Sequence, residues 1–196
     1  FWSITRFNDI MSVDKDHHNF SSVGGVSLGD RPGDFNTPNF ISLDPPEHDG
    51  QRMAVTGVVA PTNLAALETV IRERAAKILD GLPVGETFDW VDKVSIELTT
   101  QMLAAIFDFP FEDRRKLTYW SDLATSTVAT GGSMPEESRR EGLMECLEVF
   151  TQLKRERESR DPAQHNDLVT MMAHSPATKD MDPMEYLGNL ILLIVG

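Results

Sequence analysis

Apolar residues recur at the spacing of an amphipathic α-helix over much of the chain, at intervals of three or four positions. Three stripes have this spacing: Leu64, Leu67, Ile71, Ala75, Ile78 and Leu82; Val94, Leu98, Met102 and Ile106; and Leu143, Leu147, Phe150 and Leu153. The first predicts a helix that starts at Pro61 and ends at Gly81. The second predicts a helix over Trp90–Phe107. The third predicts a helix that runs into the charged stretch Lys154–Glu158, a solvated helix end.

Shorter patterns predict the remaining elements. Further helices are expected over Arg6–Val13, from Asp44 toward Val59, over Glu112–Thr127, over Asp167–Ala173 and from Pro183 onward. Strand patterns are few, with one over Phe1–Thr5 and a weaker one over Glu86–Asp89. The predicted fold class is therefore mainly α, with a minor β-sheet element near the N-terminus.

Residues that favour helix N-termini precede several of these patterns. Asp44 is followed by Pro45 at the first helical position and by Glu47, which predicts a capping box. The pairs Ser133–Glu136 and Asp182–Glu185 have the same spacing. We therefore expect side-chain caps at all three helix starts.

The segment Asp14–Asn39 has no helical or strand pattern and is rich in Gly, Asp, Ser and Asn. A connection of this length inside a compact protein is usually functional. It is therefore a candidate lid or pocket wall. The apolar residues in it and directly after it are the candidates to face a ligand: Val26, Leu28, Phe35, Phe40 and Ile41.

Charge narrows the classes of partner. The chain has 31 acidic and 18 basic residues and a formal charge of −13. This argues against nucleic acid or an anionic membrane surface as the main partner, and leaves apolar small molecules and proteins open. The longest apolar run, Leu190–Val195, is far shorter than the roughly 20 residues of a membrane-spanning helix.

Cysteine usage predicts the cellular location of the chain, and its two termini predict that it is part of a longer protein. Cys146 is the single cysteine, so no internal disulfide can form, neither a zinc-binding spacing nor a Cys-x-x-Cys redox pair is present, and a reducing, cytoplasmic location is expected. The chain starts at Phe1 without a signal-peptide pattern and stops at Gly196 inside an apolar run. We therefore expect one partial domain over residues 1–196, truncated at both ends.

The most specific motif lies over Ser42–Arg52. It reads Asp44-Pro45-Pro46-Glu47-His48 with Arg52 following, and it resembles the segment that opens the third long helix of bacterial cytochromes P450. His48 and Arg52 are four positions apart, so they share a helix face and can reach a common anion. Spacing alone also fits ordinary surface residues. The resemblance implies that the anion is a haem propionate.

Two further segments carry the resemblance, which extends over the whole chain. Val94–Pro110 is similar to the family's structural helix, and most of its residues are expected in the core. Asn189–Gly196 is similar to the first half of the central helix above the haem. Spacing alone makes this run plain core, whereas the resemblance puts Leu192, Val195 and Gly196 on the oxygen-binding side.

The resemblance implies that no metal ligand lies within the chain. The axial cysteine and the acid and alcohol pair that delivers protons are expected beyond Gly196. Cys146 lies on an apolar-periodic helix, without the Phe-Gly-Gly setting of a haem-binding loop. It is therefore expected to be a packed, inert thiol.

The implied activity is that of a haem-thiolate monooxygenase that inserts one oxygen atom from dioxygen into an unactivated C–H bond. The cofactor would be haem b, with electrons from NAD(P)H through a ferredoxin reductase and a ferredoxin. The sequence around the structural helix resembles the bacterial alkane terminal hydroxylases, which implies medium-chain alkanes or fatty acids. A sterol, terpene or fatty-acid hydroxylase of the same superfamily is the alternative. A non-catalytic helical ligand-binding protein is the alternative from another class.

Overall fold

The computed structural model describes residues 2–25, 35–126 and 134–196. Its helices are α1 (Phe7–Lys15), α2 (Glu47–Thr56), α3 (Pro61–Asp80), α4 (Glu97–Phe107), α5 (Arg115–Thr125), α6 (Glu136–Arg157), α7 (Leu168–His174) and α8 (Pro183–Val195). Short 3₁₀ turns lie over Phe40–Ser42, Gly57–Val59 and Phe111–Asp113, and a π-helical turn over Val91–Ile96 leads into α4. The mainly α prediction is confirmed.

The β part of the fold prediction is not confirmed, because the described residues contain no strand. Phe1 lies outside these residues, and neither residues 2–5 nor Glu86–Asp89 have helix or strand structure. A strand needs a hydrogen-bonded neighbour for its N–H and C=O groups. The described part of the chain offers none, so an extended pattern alone does not make a sheet.

Four aromatic side chains join α4, α5 and α6 in the core. Phe107, Phe109, Trp120 and Phe150 are each at most 5% exposed. The ring centroids of Phe107 and Phe150 are 5.4 Å apart, those of Phe109 and Phe150 5.4 Å, and those of Phe109 and Trp120 5.9 Å. Such rings bury large apolar areas and favour edge-to-face contacts. The cluster therefore fixes these three helices relative to one another.

The end of α4 is held by an ionic contact with α6. Asp108 follows α4 with a φ of 48°, a left-handed conformation that Asp tolerates better than most residues. Arg157 Nη2 donates to the backbone oxygen of Asp108 at 2.8 Å and to its Oδ2 at 3.0 Å, and Arg160 Nη1 donates to Oδ2 at 2.7 Å. These bonds fix the turn that brings Phe109 back into the aromatic cluster.

The core side of α4 differs from the predicted apolar stripe. Its buried residues are Thr100, Ala104 and Phe107, whereas the predicted stripe is only partly buried. Thr100 is tolerated in the core because its hydroxyl donates to the backbone oxygen of Ile96 at 2.8 Å. Hydrophobic periodicity misses a polar residue that satisfies its own hydrogen bond within the helix.

Helix capping follows the predictions in part. Asp182 Oδ1 accepts from the backbone N–H of Met184 at 2.8 Å, so the predicted cap of α8 is confirmed. At the start of α6 the N-cap residue is Pro135, and Ser133 lies outside the described residues. The predicted Asp44 cap is wrong, since the N-cap residue of α2 is Pro46 and no side chain caps it.

Two helical glycines differ in the space around them, which predicts opposite effects of alanine. A Cβ at Gly142 would lie 2.2 Å from Cδ1 of the buried Leu123, whereas a Cβ at Gly50 would lie 3.4 Å from Cβ of Ala177. Gly142→Ala should lower the free energy of unfolding of the full-length protein by about 1–3 kcal/mol through overpacking. Gly50→Ala should raise it by up to about 1 kcal/mol through helix propensity. Denaturant titration checks both, and equal effects would contradict this packing.

Candidate functional site

Asp44 ties the segment before α2 to residues that precede it by more than twenty positions. Its Oδ2 accepts from the Ser21 hydroxyl at 2.5 Å, and its Oδ1 accepts from the backbone N–H of Ser22 at 2.9 Å. These competing donors explain why Asp44 does not cap α2. The bonds from the Ser21 hydroxyl and the Ser22 amide hold the pKa of Asp44 below its usual range. Asp44 thus closes the base of the predicted pocket-wall loop.

The predicted pocket-wall loop is only partly described. Val26 and Leu28 lie outside the described residues, and Phe35 is half-buried and packs against the core. The next apolar residues lie in the 3₁₀ turn Phe40–Ser42, where Phe40 is buried and Ile41 is half-buried. The end of the loop is therefore docked on the body of the protein.

His48 and Arg52 lie one turn apart on α2, as predicted. His48 is half-buried, its ring centroid is 6.3 Å from that of Phe40, and its Nδ1 is 2.9 Å from Asp49 Oδ1. Because an ionised carboxylate only accepts hydrogen bonds, Nδ1 is the donor, and Nε2 can donate to an anion only when the ring is protonated. The His48 contribution to anion binding is therefore conditional on protonation.

Arg52 is better suited to hold an external anion. It is exposed, and within the part of the chain that the structure describes its guanidinium makes no hydrogen bond or ion pair. A guanidinium stays charged at every physiological pH and presents a planar set of donors that matches a carboxylate. The face of α2 with His48 and Arg52 thus offers one permanent and one conditional donor.

The C-terminal part of α8 becomes more exposed toward its end. Leu190 is fully buried, Leu192 is half-buried, Val195 is 45% exposed and Gly196 is exposed. Large apolar side chains at the end of a core helix normally face protein or ligand. The structure thus places Leu192 partly in the core, and it buries neither Val195 nor Gly196.

Sequence reasoning missed a buried polar chain that links α2, the 3₁₀ turn and α8. Asn189, 1% exposed, accepts from the backbone N–H of Phe40 at 2.8 Å and donates to Gln51 Oε1 at 2.9 Å. Gln51 Nε2 in turn donates to Glu185 Oε1 at 2.6 Å. The available signal was a single amide within an otherwise apolar run, because a buried amide requires partners.

Gly188 allows the chain before the 3₁₀ turn to lie directly on α8. A Cβ at this position would be 2.0 Å from the backbone oxygen of Pro38 and 2.7 Å from that of Thr37. Only glycine permits such a close approach of backbone to helix. Gly188 and Asn189 therefore hold the same segment through adjacent positions.

Cys146 is 0% exposed in the core, and burial raises the pKa of its thiol. A protonated, inaccessible thiol does not ligate a metal. Among the described residues no group of three His, Cys, Asp or Glu side chains is arranged to hold a metal ion.

Comparison with solved structures identifies the fold. Cytochrome P450-153 from Novosphingobium aromaticivorans matches with a TM-score of 0.86 and 41% identity, over 100% of this chain and 49% of that one. CYP153D17 from Sphingomonas sp. PAMC 26605 matches with a TM-score of 0.84 and 43% identity, over the same shares of the two chains. The chain belongs to the cytochrome P450 family. The predicted resemblance to bacterial cytochromes P450 is thereby confirmed.

Curated P450 relatives are more distant and differ in what their names say they oxidise. Linalool 8-monooxygenase from Pseudomonas putida is 28% identical over 100% of this chain and 50% of the relative. Steroid C26-monooxygenase from Mycobacterium tuberculosis is 26% identical over 88% of this chain and 40% of the relative. The chain thus spans half or less of the length of these relatives. No protein-family model matches it.

In the described part of this P450 chain no single helix is both long and apolar enough to cross a membrane. Two adjacent segments, Glu47–Val59 and Pro61–Asp80, are together long and apolar enough to cross a membrane, but they are bent by 42° relative to each other.

The residues present fit the haem of a cytochrome P450. The exposed Arg52 guanidinium and the neighbouring His48 ring supply donors of the kind that carboxylates require. The half-buried and exposed apolar residues of α8 supply the kind of surface that a porphyrin or an apolar ligand covers. The chain therefore has donor groups of the kind that a propionate requires.

The Asp44 tether predicts a local effect on the loop. In full-length protein, Asp44→Ala should speed amide hydrogen exchange at Ser22, which loses its acceptor, and at Val23, whose amide donates to the Ser21 hydroxyl that Asp44 holds. Since the pKa of Asp44 is lowered from 3.8, wild-type protection should persist above that pH and disappear as the pH falls through the lowered value. Glu73→Ala on exposed α3 is the control, and equal exchange in both variants would contradict the tether.

Proposed function

We propose that this chain forms the propionate-binding helix and part of the distal pocket wall of a haem-dependent monooxygenase. The full-length protein would insert one oxygen atom from dioxygen into an unactivated C–H bond of an apolar substrate. The observation that carries the proposal is the pairing of His48 and Arg52 on one face of α2 in a chain with whole-length similarity to P450 structures. A helical ligand-binding protein without catalysis explains the apolar stripes but not that pairing.

Haem b with an axial thiolate supplies dioxygen binding and activation when bound. Within this chain, Arg52 would hold a propionate by charge-assisted hydrogen bonds, with His48 assisting when protonated. Leu192 and Val195 would exclude water from the oxygen-binding side, and Gly196 would leave room against the helix backbone. The axial cysteine is expected beyond Gly196, and the electrons would come from NAD(P)H through a ferredoxin reductase and a ferredoxin.

The substrate class follows from the chemistry of the pocket residues. Phe40, Ile41, Leu192 and Val195 are all apolar, so selectivity would depend on pocket shape and not on a charge. We propose terminal hydroxylation of medium-chain alkanes or fatty acids, supported by the resemblance to alkane terminal hydroxylases and by the two neighbours that share the designation 153.

A steroid or terpene hydroxylase is the second candidate. It is favoured by the names of two curated relatives, a steroid C26-monooxygenase and a linalool 8-monooxygenase. The deciding experiment supplies the full-length, haem-loaded protein with electrons from a surrogate ferredoxin system and analyses products from linear alkanes, fatty acids, a steroid and a terpene alcohol. Terminal alcohols from the linear substrates alone would support the first candidate. A cytoplasmic location, expected from cysteine usage, stays a prediction.

The propionate assignment predicts a loss of haem. In full-length protein, Arg52→Ala should lower haem occupancy and speed haem transfer to apomyoglobin, since a charge-assisted hydrogen bond worth roughly 1.5–3 kcal/mol is removed. His48→Ala should act in the same direction but more weakly, because its ring can donate to a propionate only when both ring nitrogens carry a proton. Arg72→Ala is the matched control, because Arg72 is exposed and pairs with Glu68 on α3. Unchanged transfer in Arg52→Ala would refute the assignment.

The pocket assignment of Val195 predicts a change in substrate choice. In the proposed pocket the Phe side chain of Val195→Phe would grow into space used by the substrate, so this variant should disfavour long or bulky substrates with little loss of stability. The adjacent Ile194 is 6% exposed, and Ile194→Phe should instead cost about 1–3 kcal/mol of stability by overpacking. Thermal unfolding and the substrate-induced spin shift over an alkane series check both. Lost stability with unaltered chain-length preference in Val195→Phe would mean that this residue is core.

A further inference from the structure

Two contacts hold the chain around Phe40 against α8. Asn189 Oδ1 accepts the backbone N–H of Phe40 at 2.8 Å. At the preceding position, Gly188 admits the backbone oxygen of Pro38, which would lie 2.0 Å from a Cβ there. Because Asn189 is 1% exposed, its hydrogen bonds are made without competition from water. The segment has little freedom to move along or away from the helix.

The orientation of the Asn189 amide is set by its second partner. Its Nδ2 donates to Gln51 Oε1 at 2.9 Å, and Gln51 Nε2 donates to Glu185 Oε1 at 2.6 Å. Glu185, as a carboxylate acceptor, requires Nε2 from Gln51, which leaves Oε1 of Gln51 to accept from Asn189. Oδ1 of Asn189 is therefore left to face the Phe40 amide. The chain of three side chains has one consistent assignment.

The face of α8 that contains Gly188 also contains two residues of the proposed pocket. Positions 188, 192 and 195 are spaced by four and three residues, so Gly188, Leu192 and Val195 share a helix face. Leu192 lies about 6 Å further along the axis than Gly188, from the helical rise of 1.5 Å per residue. The segment held by Gly188 and Asn189 thus stands at the N-terminal end of the face that bears Leu192.

We infer that Asn189 is a positioning residue: by holding the Phe40 turn on α8, it fixes the end wall of the substrate pocket and so limits substrate length. The inference rests on the proposed function for the identity of the pocket. A linear substrate that extends along α8 toward its N-terminus meets the turn at Phe40. If the turn is released, the wall yields and longer chains fit.

The test uses full-length, haem-loaded protein and two substitutions. Asn189→Leu keeps the size of the side chain but removes the acceptor and the donor. Asn189→Ser leaves room for a water that partly replaces them. In Asn189→Leu, the rate of amide hydrogen exchange at Phe40 should rise about three- to tenfold. Long linear alkanes should bind more tightly relative to short ones by a similar factor, measured as the ratio of their dissociation constants from the spin shift. Asn189→Ser should give intermediate values of both quantities. It is the sole test variant if Asn189→Leu does not yield holoprotein.

Leu123→Ala is the matched control, because it removes core packing between α5 and α6 and leaves the hydrogen bonds of Asn189 with Phe40 and Gln51 in place. It should lower the melting temperature but leave the exchange of Phe40 relative to other core amides, and the chain-length ratio, at wild-type values. A wild-type ratio in both Asn189 variants, or the same change in Leu123→Ala, overturns the inference. A wild-type protein without an alkane-induced spin shift refutes the proposed substrate class instead, and the exchange of Phe40 still reports whether the turn is held.

Discussion

The burial of one amide, that of Asn189, is the constraint on which the arrangement of the site depends. An amide removed from water costs about 1–3 kcal/mol if its hydrogen bonds are not replaced. Here the replacements come from the backbone of Phe40 and from Gln51, so α2, the 3₁₀ turn and α8 meet at one side chain. α8 also packs against α5 and α6. The elements around the predicted pocket are therefore attached to the same core that contains the aromatic cluster.

The sequence predicts most helices because their stripes are long and their ends are marked. Both α6 and α8 have an apolar face, α8 also has the recognised cap Asp182, and the observed bounds of both helices lie close to the expected ones. α3 shows the limit of periodicity. Its stripe predicts the helix correctly, yet none of its residues is buried. A stripe indicates which face is apolar, but the partner of that face is a property of the whole fold.

Several of the errors and omissions depend on residues that are distant in sequence. Asp44 has the local signature of a cap, but donors at Ser21 and Ser22 take its carboxylate. The expected strands lack a neighbour in the described residues. For the site, the motif around His48 and Arg52 is local and could be read directly. Asn189 was missed because two of its three partners, at positions 40 and 51, lie more than a hundred residues away along the chain.

The buried thiol of Cys146 provides a probe for the opening of the helical core. The thiolate is the species that reacts with alkylating reagents, and this side chain is both inaccessible and held protonated by its surroundings. It can therefore be modified only during excursions in which α6 separates from its neighbours. The rate at which a small reagent labels Cys146 reports how often the helical core opens.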